Sequence, residues 1–508
     1  MGGAAMRRPF SIEENDMIAM LVFVLAQLSP SVAPLPSPRP TGPVYVGNPA
    51  ARLTLESRPL GVDPDGYAKW LVIARYLDAQ GSPTKIMLNT DLDWMPDRGA
   101  TQWQPRMRFG QPAAIVRLNQ NLPVRIRVRS NLPKLPDAYG STDPRAWPGP
   151  QVVAAPLGPH MIQIGWFPRA SEPVRIVRTG AGGAPLTVTL QPPSQTYRDA
   201  TVHPGATYRY TVYRAHHPSA TLAVRAMPEL PAVTVQAASG KAMWLYYGTN
   251  PYDDHYIGTW NAQAYVDQAV KAGLHYIELR TAYGAYWEVD PQNKAVLDAI
   301  IDGLSAHGIG VLGWTVPRQA SFEDLSASVR TANYRTAKGT RLAGLAVDYE
   351  RGEEFMHDCP EGCKAIADYA HYLRQAVGPN YKIVATVEDA YLEKLDNTKY
   401  PYAAIARYSD VLQPMAYWRM LSRKTMDLAK MNAELQGSYQ KILRVSGRTL
   451  PVSIGGQTSA EGPLGNPPVE ELTASLAQAK TLGAIGECFF DWDGTLPDQW
   501  DAIARTPW

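Results

Sequence analysis

From about residue 240 onward, short apolar runs alternate with stretches in which apolar residues recur at helical spacing. The apolar runs predict eight strands, beginning near Ala242, Leu274, Ile309, Leu342, Tyr381, Asp410, Leu450 and Ala484. Helical spacing is clearest over 292–307, 363–377, 426–443 and 469–482. Eight strands that alternate with helices predict a closed (β/α)₈ barrel of the TIM-barrel type over residues 240–508. The alternative is an open doubly wound sheet, but the glycine-rich phosphate loop typical of that fold is missing after the first strand.

Residues from about 45 to 235 follow another pattern, in which short alternating runs are separated by Gly, Pro and Asp. A period of two predicts strands with one buried face, and the length fits two β-sandwich modules, over 45–148 and 149–235. The first module contains Val124-Arg-Ile-Arg-Val128 and resembles the Ig-like repeats of bacterial surface proteins. The second contains Trp166, the alternating run 174–178 and Tyr208-Arg-Tyr210, in an order that resembles a fibronectin type III domain. Trp166 and Tyr208 are predicted core residues.

Residues 1–44 resemble a leader followed by a proline-rich linker. Arg7 and Arg8 precede an apolar run over 17–26, and small residues follow it up to Ala33, which is typical of a signal peptide. Acidic residues at positions 13, 14 and 16 depart from that pattern, so a buried helix or an anchoring segment is the alternative. We expect the protein to be extracellular or at the cell surface. No other stretch of the sequence is long and apolar enough to span a membrane.

The composition narrows the class of protein. A chain of 508 residues exceeds what one hydrophobic core supports, and its hydrophobic fraction of 45% excludes a disordered protein. The formal charge of +2 excludes the broad basic surface typical of nucleic-acid binding. With only three cysteines, a disulfide-rich scaffold is excluded. Cys359 and Cys363 could close a small disulfide or, with His357, contribute to a zinc site.

Active sites of such barrels lie at the carboxyl ends of the strands. Strand four ends in two carboxylates, in the sequence Asp348-Tyr-Glu350. Because alternate residues of a strand face the same side, both carboxylates are predicted to point into the barrel mouth. Two adjacent carboxylates raise the pKa of one of them, which leaves one acid and one anion near neutral pH. Glycoside cleavage uses that combination. The alternative is a pair that is solvated at the rim or bonded to Arg280.

Other strand ends supply candidates for sugar binding, because carboxylates and amides hydrogen-bond hydroxyl groups while aromatic rings pack on the flat faces of sugars. The predicted substrate-binding residues are Tyr247, Glu278, Arg280, Trp314, Glu388, Gln413, Trp418, Asp491 and Trp492. A different catalytic pairing is left open, in which Asp348 or Glu350 works with Glu388 or Asp491. Glu278 is a further candidate, whose charge Arg280 on the same strand face could neutralise. Neither a metal nor an organic cofactor is expected, because the histidines are scattered along the chain.

Three motifs together suggest a family: Gly344-Leu-Ala-Val-Asp348-Tyr-Glu350, Gln413-Pro-Met-Ala-Tyr417 and the strand end at Trp492. They resemble the family 18 glycoside hydrolases, which are chitinase-like TIM barrels. The resemblance implies that Glu350 is the general acid, Asp348 the carboxylate that orients the acetamido group, Tyr417 a second partner of that group, and Trp492 the floor under the sugar. The family's motif carries additional aspartates at two positions where this chain has Ala343 and Ala346.

These features predict an exported glycoside hydrolase that cleaves a cell-wall or extracellular polysaccharide, with the family resemblance implying N-acetylhexosamine units. The β-modules would act as spacers, and the partner would be a polysaccharide or glycan of the cell envelope rather than a nucleic acid. The alternative is a non-catalytic surface or appendage protein whose barrel binds a glycan or a protein partner. Ala343 and Ala346 favour this alternative. Replacing Glu350 by Gln separates the two, since a hydrolase loses turnover and keeps sugar binding.

Overall fold

The structure is a computed structural model, and the part of the chain it describes begins at Tyr45. The described residues are 45–46, 48–86, 92–96, 100–108, 111–118, 120–130, 132, 134–146, 149, 151–181, 185–248, 257, 260–289, 291, 293–352, 355–392, 400–419, 425–460 and 464–508. The signal-like leader and the proline-rich linker predicted over 1–44 lie outside these residues. Of the helices described below, none is both long and apolar enough to cross a membrane.

The amino-terminal region consists of antiparallel sheets. Its strands are β1 (Tyr45–Val46), β2 (Arg52–Val62), β3 (Ala68–Leu77), β4 (Lys85–Ile86), β5 (Leu92–Pro96), β6 (Ala100–Arg108), β7 (Gln111–Leu118), β8 (Val124–Ser130) and β9 (Ala138–Thr142). They pair in the orders β2-β3-β7-β6, β5-β8-β9 and β1-β4. Burial alternates along β3 and β8, as the period of two predicts, and strands of the two larger sheets share one hydrophobic cluster.

The next region is also antiparallel and follows a short 3₁₀ helix, Pro144–Ala146. Its strands are β10 (Val152–Gly158), β11 (Met161–Ala170), β12 (Val174–Gly180), β13 (Leu186–Leu190), β14 (Ser194–Asp199), β15 (Thr207–Tyr213) and β16 (Ala220–Arg225), with orders β10-β11-β14 and β13-β12-β15-β16. Trp166 and Tyr208, from different sheets, lie in one buried cluster, which confirms their prediction as core residues. The Ig-like and fibronectin-like identities of the two regions stay predictions.

A parallel eight-stranded barrel occupies the carboxyl-terminal half. Its strands, one to eight, are β17 (Gly240–Leu245), β18 (Tyr276–Tyr283), β20 (Gly310–Val316), β21 (Gly344–Tyr349), β22 (Ile383–Val387), β23 (Val411–Pro414), β24 (Ser453–Gln457) and β25 (Gly486–Phe490). Isolated parallel bridges from Leu412 to Val452 and from Met415 to Gly455 join strand six to strand seven. A two-residue strand, β19 (Tyr286–Trp287), pairs with the end of β18 as a hairpin at the mouth. The predicted barrel is confirmed, with strands that begin within three residues of their predicted starts.

The helices surround the barrel in the order expected for βα units, after a 3₁₀ helix at Val235–Ala238. They are α1 (Ala262–Ala272), α2 (Lys294–Ala306), α3 (Phe322–Ala332), α4 (Glu361–Val377), α5 (Tyr402–Tyr408), α6 (Leu428–Ser446), α7 (Val469–Leu482) and α8 (Pro497–Arg505). Helices α1 and α7 end at Gly273 and Gly483, whose φ values of 61° and 81° are left-handed and favour glycine. At each of these two glycines the chain therefore reverses direction and leads into the next barrel strand.

The second β-region packs directly against the barrel. Leu157 and Met161 of that region and Leu230 after it belong to the same buried cluster as the outer barrel residues. The guanidinium of Arg198 lies 3.9 Å from the ring centroid of Tyr372 on α4, and it donates a hydrogen bond to the carbonyl of Ala320. The two units therefore share apolar and polar contacts.

Candidate active site

Asp348 and Glu350 stand two residues apart at the end of strand four, and their carboxyl groups lie next to each other in the barrel mouth. The Asp348 side chain is buried, and the indole Nε1 of Trp314 on strand three donates a hydrogen bond to its Oδ2 at 3.3 Å. Glu350 is half-buried. The two carboxyl groups therefore share one wall of the mouth, with Asp348 on the interior side and Glu350 closer to solvent.

The surroundings of Asp348 raise its pKa towards the neutral range, so that the group can exist there as an acid or as an anion. Burial raises the pKa of Asp348 well above its ordinary value, and the charge of Glu388 raises it further. The hydrogen bond from the Trp314 indole and the adjacent Glu350 carboxyl group oppose this increase in the pKa, because they stabilise the anion. Two neighbouring carboxyl groups do not both ionise at low cost, so this pair can keep one proton to donate and one negative charge near neutral pH.

The carboxylates of the alternative pairings already have structural partners. Arg351 holds Glu388 through its Nε at 2.7 Å, its Nη2 at 2.6 Å and its backbone N–H at 2.8 Å. Asp491 Oδ1 accepts the backbone N–H of Gly494 at 2.6 Å, and the Asp491 carboxyl is hydrogen-bonded to the Tyr246 hydroxyl. These hydrogen bonds and the ion pair already engage both carboxylates within the fold. The geometry favours the Asp348–Glu350 pair.

Arg280 forms an ion pair with neither Glu278 nor the strand-four carboxylates in the described structure, in contrast to the alternatives considered from the sequence. Its Nε donates to Glu288 Oε2 at 2.9 Å. Glu288 follows the β19 hairpin and is buried, so its charge needs this partner. The Arg280 guanidinium also lies 5.3 Å from the ring centroid of Tyr246 and 5.9 Å from that of Trp314. Arg280 thus supports the aromatic wall of the mouth.

Trp244 of strand one lies at the centre of an aromatic cluster inside the mouth. Its ring centroid is 6.5 Å from those of Trp314 and Tyr417 and 6.1 Å from that of Phe490. Phe490 in turn stacks on Tyr246, with centroids 6.2 Å apart. Phe490 and Tyr246 are half-buried, and both were missing from the predicted site. Phe490 stands two residues after Cys488 on strand eight, so the alternation of side chains along the strand could have indicated that both face the barrel interior.

Three aromatic residues predicted to bind sugar lie in the helix layer instead. Trp492 packs between Tyr265 of α1 and Trp500 of α8, with ring centroids 5.3 and 4.8 Å away. Trp418 donates its indole N–H to Glu471 Oε2 of α7 at 2.8 Å, and Tyr247 is buried in the outer core. Trp492 follows the end of strand eight, so strand alternation no longer determines its direction. Phe490, rather than Trp492, joins the aromatic cluster of the mouth.

Two further predicted binding residues, Glu278 and Gln413, are fully buried beneath the mouth. Gln413 Nε2 donates to Glu278 Oε1 at 2.8 Å, and Thr386 Oγ1 donates to Gln413 Oε1 at 2.6 Å. Burial raises the pKa of Glu278 to about 8. These side chains hydrogen-bond to each other in the interior, where a sugar at the rim would not reach them.

Cys359 and Cys363 form a disulfide at the start of α4, in the segment that follows Glu350. Of the two alternatives drawn from the sequence, the structure has the disulfide and not the zinc site. In the part of the chain that the structure describes, no group of three or more His, Cys, Asp and Glu side chains is arranged to hold a metal ion.

Neither a family model nor a curated protein sequence matches this chain. Among solved structures, a chitinase of Chromobacterium violaceum is 12% identical with a TM-score of 0.38, over 53% of this chain and 98% of that one. The spore cortex-lytic enzyme SleL of Bacillus cereus is 11% identical with a TM-score of 0.38, over 58% and 79%. The FN5 domain of Drosophila Lar is 18% identical with a TM-score of 0.13, over 15% and 90%. Identities and TM-scores this low assign neither a family nor a chemistry to this chain.

Proposed function

We propose that this protein is a glycoside hydrolase in which Glu350 is the proton donor. The observation that carries the proposal is the pair of adjacent carboxyl groups, Asp348 and Glu350, beside the indole of Trp314. Cleavage of a glycosidic bond needs an acid for the departing oxygen and a negative charge near the positive anomeric centre. Two carboxyl groups that share a proton supply both at one position.

In the proposed reaction Glu350 donates its proton to the glycosidic oxygen as the bond to the anomeric carbon breaks. With an N-acetylated sugar, the acetamido oxygen attacks that carbon, and Asp348 as the anion stabilises the positive charge on the acetamido nitrogen. Tyr417, which borders Trp244 in the mouth, would hold the acetamido oxygen. Water then attacks the anomeric carbon, releases the acetamido group and returns a proton to Glu350. Each group ends the cycle in its starting state.

The proposed substrate is a cell-wall or extracellular polysaccharide that contains N-acetylhexosamine. The half-buried rings of Tyr246 and Phe490 support a sugar substrate, since they give the mouth an apolar floor beside its carboxyl groups. We further propose that the protein acts outside the cytoplasm. The Cys359–Cys363 disulfide supports this location, because such bonds persist in oxidising compartments.

A non-catalytic glycan-binding protein is the second candidate, and one observation favours it. Ala346, on the strand that carries Asp348, is fully buried and contributes only a methyl group where the family 18 motif has an aspartate. A barrel that lost this carboxyl group could retain its aromatic floor and bind a sugar without cleaving it. The two candidates share the same mouth and differ in turnover.

The test is product release by the full-length protein from chitin, peptidoglycan and galactosaminoglycan, measured by mass spectrometry. We expect Glu350→Gln to lower kcat by about 10²- to 10⁴-fold, the usual contribution of a general acid, while sugar binding persists. Glu470→Gln is the matched control, because Glu470 is exposed on the first turn of α7. Binding without product release by the unchanged protein would favour the second candidate. Full turnover in Glu350→Gln would place the acid elsewhere.

A further inference from the structure

A buried carboxyl group that the proposed reaction does not use lies beneath the mouth. Glu278 of strand two is fully buried, and its Oε1 accepts the hydrogen bond from Gln413 Nε2 at 2.8 Å. Its Oε2 lies against Trp244 and Cys488 and has no hydrogen-bond partner of normal geometry among the described residues. An ionised carboxylate in this position would have one oxygen without a donor, which is costly, whereas a neutral acid is compatible with it.

Asp348 acts on the protonation of Glu278 although the two stand on different strands. Strand register places Glu278 beside Trp244 of strand one and Leu312 of strand three. The charge of Asp348 adds to burial in raising the pKa of Glu278. Two carboxylates in one buried interior do not ionise together at low cost. Asp348 can therefore carry a negative charge most easily while Glu278 keeps its proton.

Strand four itself offers no second carboxyl group below Asp348. Ala346 faces the same interior cluster as Trp244 and Trp314 and offers no carboxyl group below Asp348. Glu278 enters that interior from strand two and brings with it the hydrogen-bonded chain through Gln413 to Thr386. The barrel thus retains a second buried acid near Asp348, supplied by a different strand.

We infer that Glu278 is a positioning residue of the proposed active site: as a neutral acid it anchors Gln413 beneath the mouth and leaves the negative charge there to Asp348. The catalytic consequence rests on the proposed function. The groups that face Glu278 are Asp348 of strand four, Gln413 of strand six, Cys488 of strand eight, Trp244 of strand one and Tyr276 of its own strand. Among these, Asp348 is the group expected to carry a charge at neutral pH.

The first experiment measures the protonation state and requires no substrate. Infrared difference spectra of the full chain and Glu278→Gln are recorded at about pH 6.5, where ordinary carboxyl groups are ionised. We expect the variant to lack the carbonyl band of one neutral acid, and the wild-type band to disappear as the pH rises through about 8. A neutral-acid carbonyl band that is the same in wild type and variant would mean that Glu278 is ionised and would overturn the inference. Gln is nearly isosteric with Glu, so this variant is expected to fold.

The second experiment measures positioning through kinetics at the same pH. We expect Glu278→Gln to retain kcat within about threefold, because an amide oxygen still accepts the hydrogen bond from Gln413. We expect Glu278→Leu to lower kcat by about tenfold or more, with KM little changed. Glu487→Leu is the matched control: Glu487 is equally buried in strand eight, but contacts Ser475 of α7. Full kcat in Glu278→Leu would overturn the positioning role. Should Glu278→Leu not fold, a kcat of Glu278→Gln reduced like that of Glu350→Gln would overturn it instead.

The two proposals can fail separately. A wild-type protein that releases no product from any polysaccharide would overturn the proposed function, while the infrared spectra would still decide whether Glu278 is neutral. A hydrolase whose Glu278 is ionised at about pH 6.5 would keep the proposed function and lose this inference.

Discussion

Asp65 of the first β-region accepts a hydrogen bond from the backbone N–H of Phe322, the first residue of the barrel helix α3, at 2.8 Å. The same carboxylate accepts from Arg117 of its own region at 2.9 Å and from Gln163 of the second region at 2.6 Å. An anion at the first turn of a helix is favourable, and this one is buried. A single side chain thus links all three units, which indicates that the β-regions support the barrel as well as extend from it.

We expect Asp65→Ala to destabilise the full chain by about 3 kcal/mol, because it leaves the buried Arg117 with fewer partners and α3 without this acceptor. Thermal and urea unfolding followed by circular dichroism measure the effect. Asp143→Ala is the control, since Asp143 pairs with Arg145 at the exposed surface and its loss should leave the midpoint unchanged. Equal midpoints for Asp65→Ala and wild type would show that the link does not stabilise the protein.

Trp314→Phe is expected to shift the acid limb of the pH profile of kcat/KM upward by about one pH unit. The indole hydrogen bond stabilises the Asp348 anion and lowers its pKa, so its removal lets Asp348 keep its proton to higher pH. Activity below neutral pH should therefore fall more than activity above it. Trp287→Phe, which changes an indole stacked under Arg330 away from the carboxyl pair, should leave the profile unchanged. An equal loss at every pH would point to packing alone.

Glu487→Gln is expected to stabilise the protein increasingly as the pH rises. Burial raises the pKa of Glu487 from an ordinary 4.5 to about 8, so the folded state holds a proton that the unfolded state has released. Below pH 4.5, the pKa of the unfolded state, the contribution of Glu487 to stability is fully present. Between that pH and about 8, the pKa of the folded state, the contribution falls by about 1.4 kcal/mol per pH unit. Urea unfolding at several pH values should show a flatter dependence for Glu487→Gln than for wild type or Glu470→Gln. Parallel curves for all three proteins would contradict the raised pKa.

Phe490→Ala is expected to lower activity, whereas Trp492→Ala is expected to lower stability. Phe490 joins the cluster of the mouth, so its truncation should lower kcat/KM for a polysaccharide about tenfold with a small change in stability. Trp492 fills the layer between α1 and α8, and its truncation should cost about 3–5 kcal/mol of unfolding free energy. Calorimetry and kinetics on both variants separate the roles. A large loss of sugar affinity in Trp492→Ala, without one in Phe490→Ala, would instead indicate that Trp492 packs against the bound sugar.

Much of the fold could be predicted from local patterns. The alternation of apolar strands with amphipathic helices located all eight barrel strands within three residues, because burial of one face imposes its period on the sequence. The alternation of side chains along strand four likewise predicted that Asp348 and Glu350 would share a side, and their carboxyl groups lie next to each other.

The partners of the buried charges could not be predicted in this way. Arg280 and Glu278 share a strand face, yet Arg280 pairs with Glu288 from the β19 hairpin and Glu278 with Gln413 from strand six. These choices depend on which strands become neighbours across the closed barrel and on how the hairpin folds back. A local sequence pattern contains neither piece of information.

By itself, the sequence determined the element order, the barrel and the residues that end each strand, because these follow from periodic burial along one chain segment. Only the tertiary structure decided that Phe490 enters the mouth while Trp492 enters the helix layer, and that Asp65 links three units. Side chains beyond a strand end are oriented by the neighbours they pack against. Buried polar groups are paired by proximity in space, since each must find a partner wherever the fold provides one.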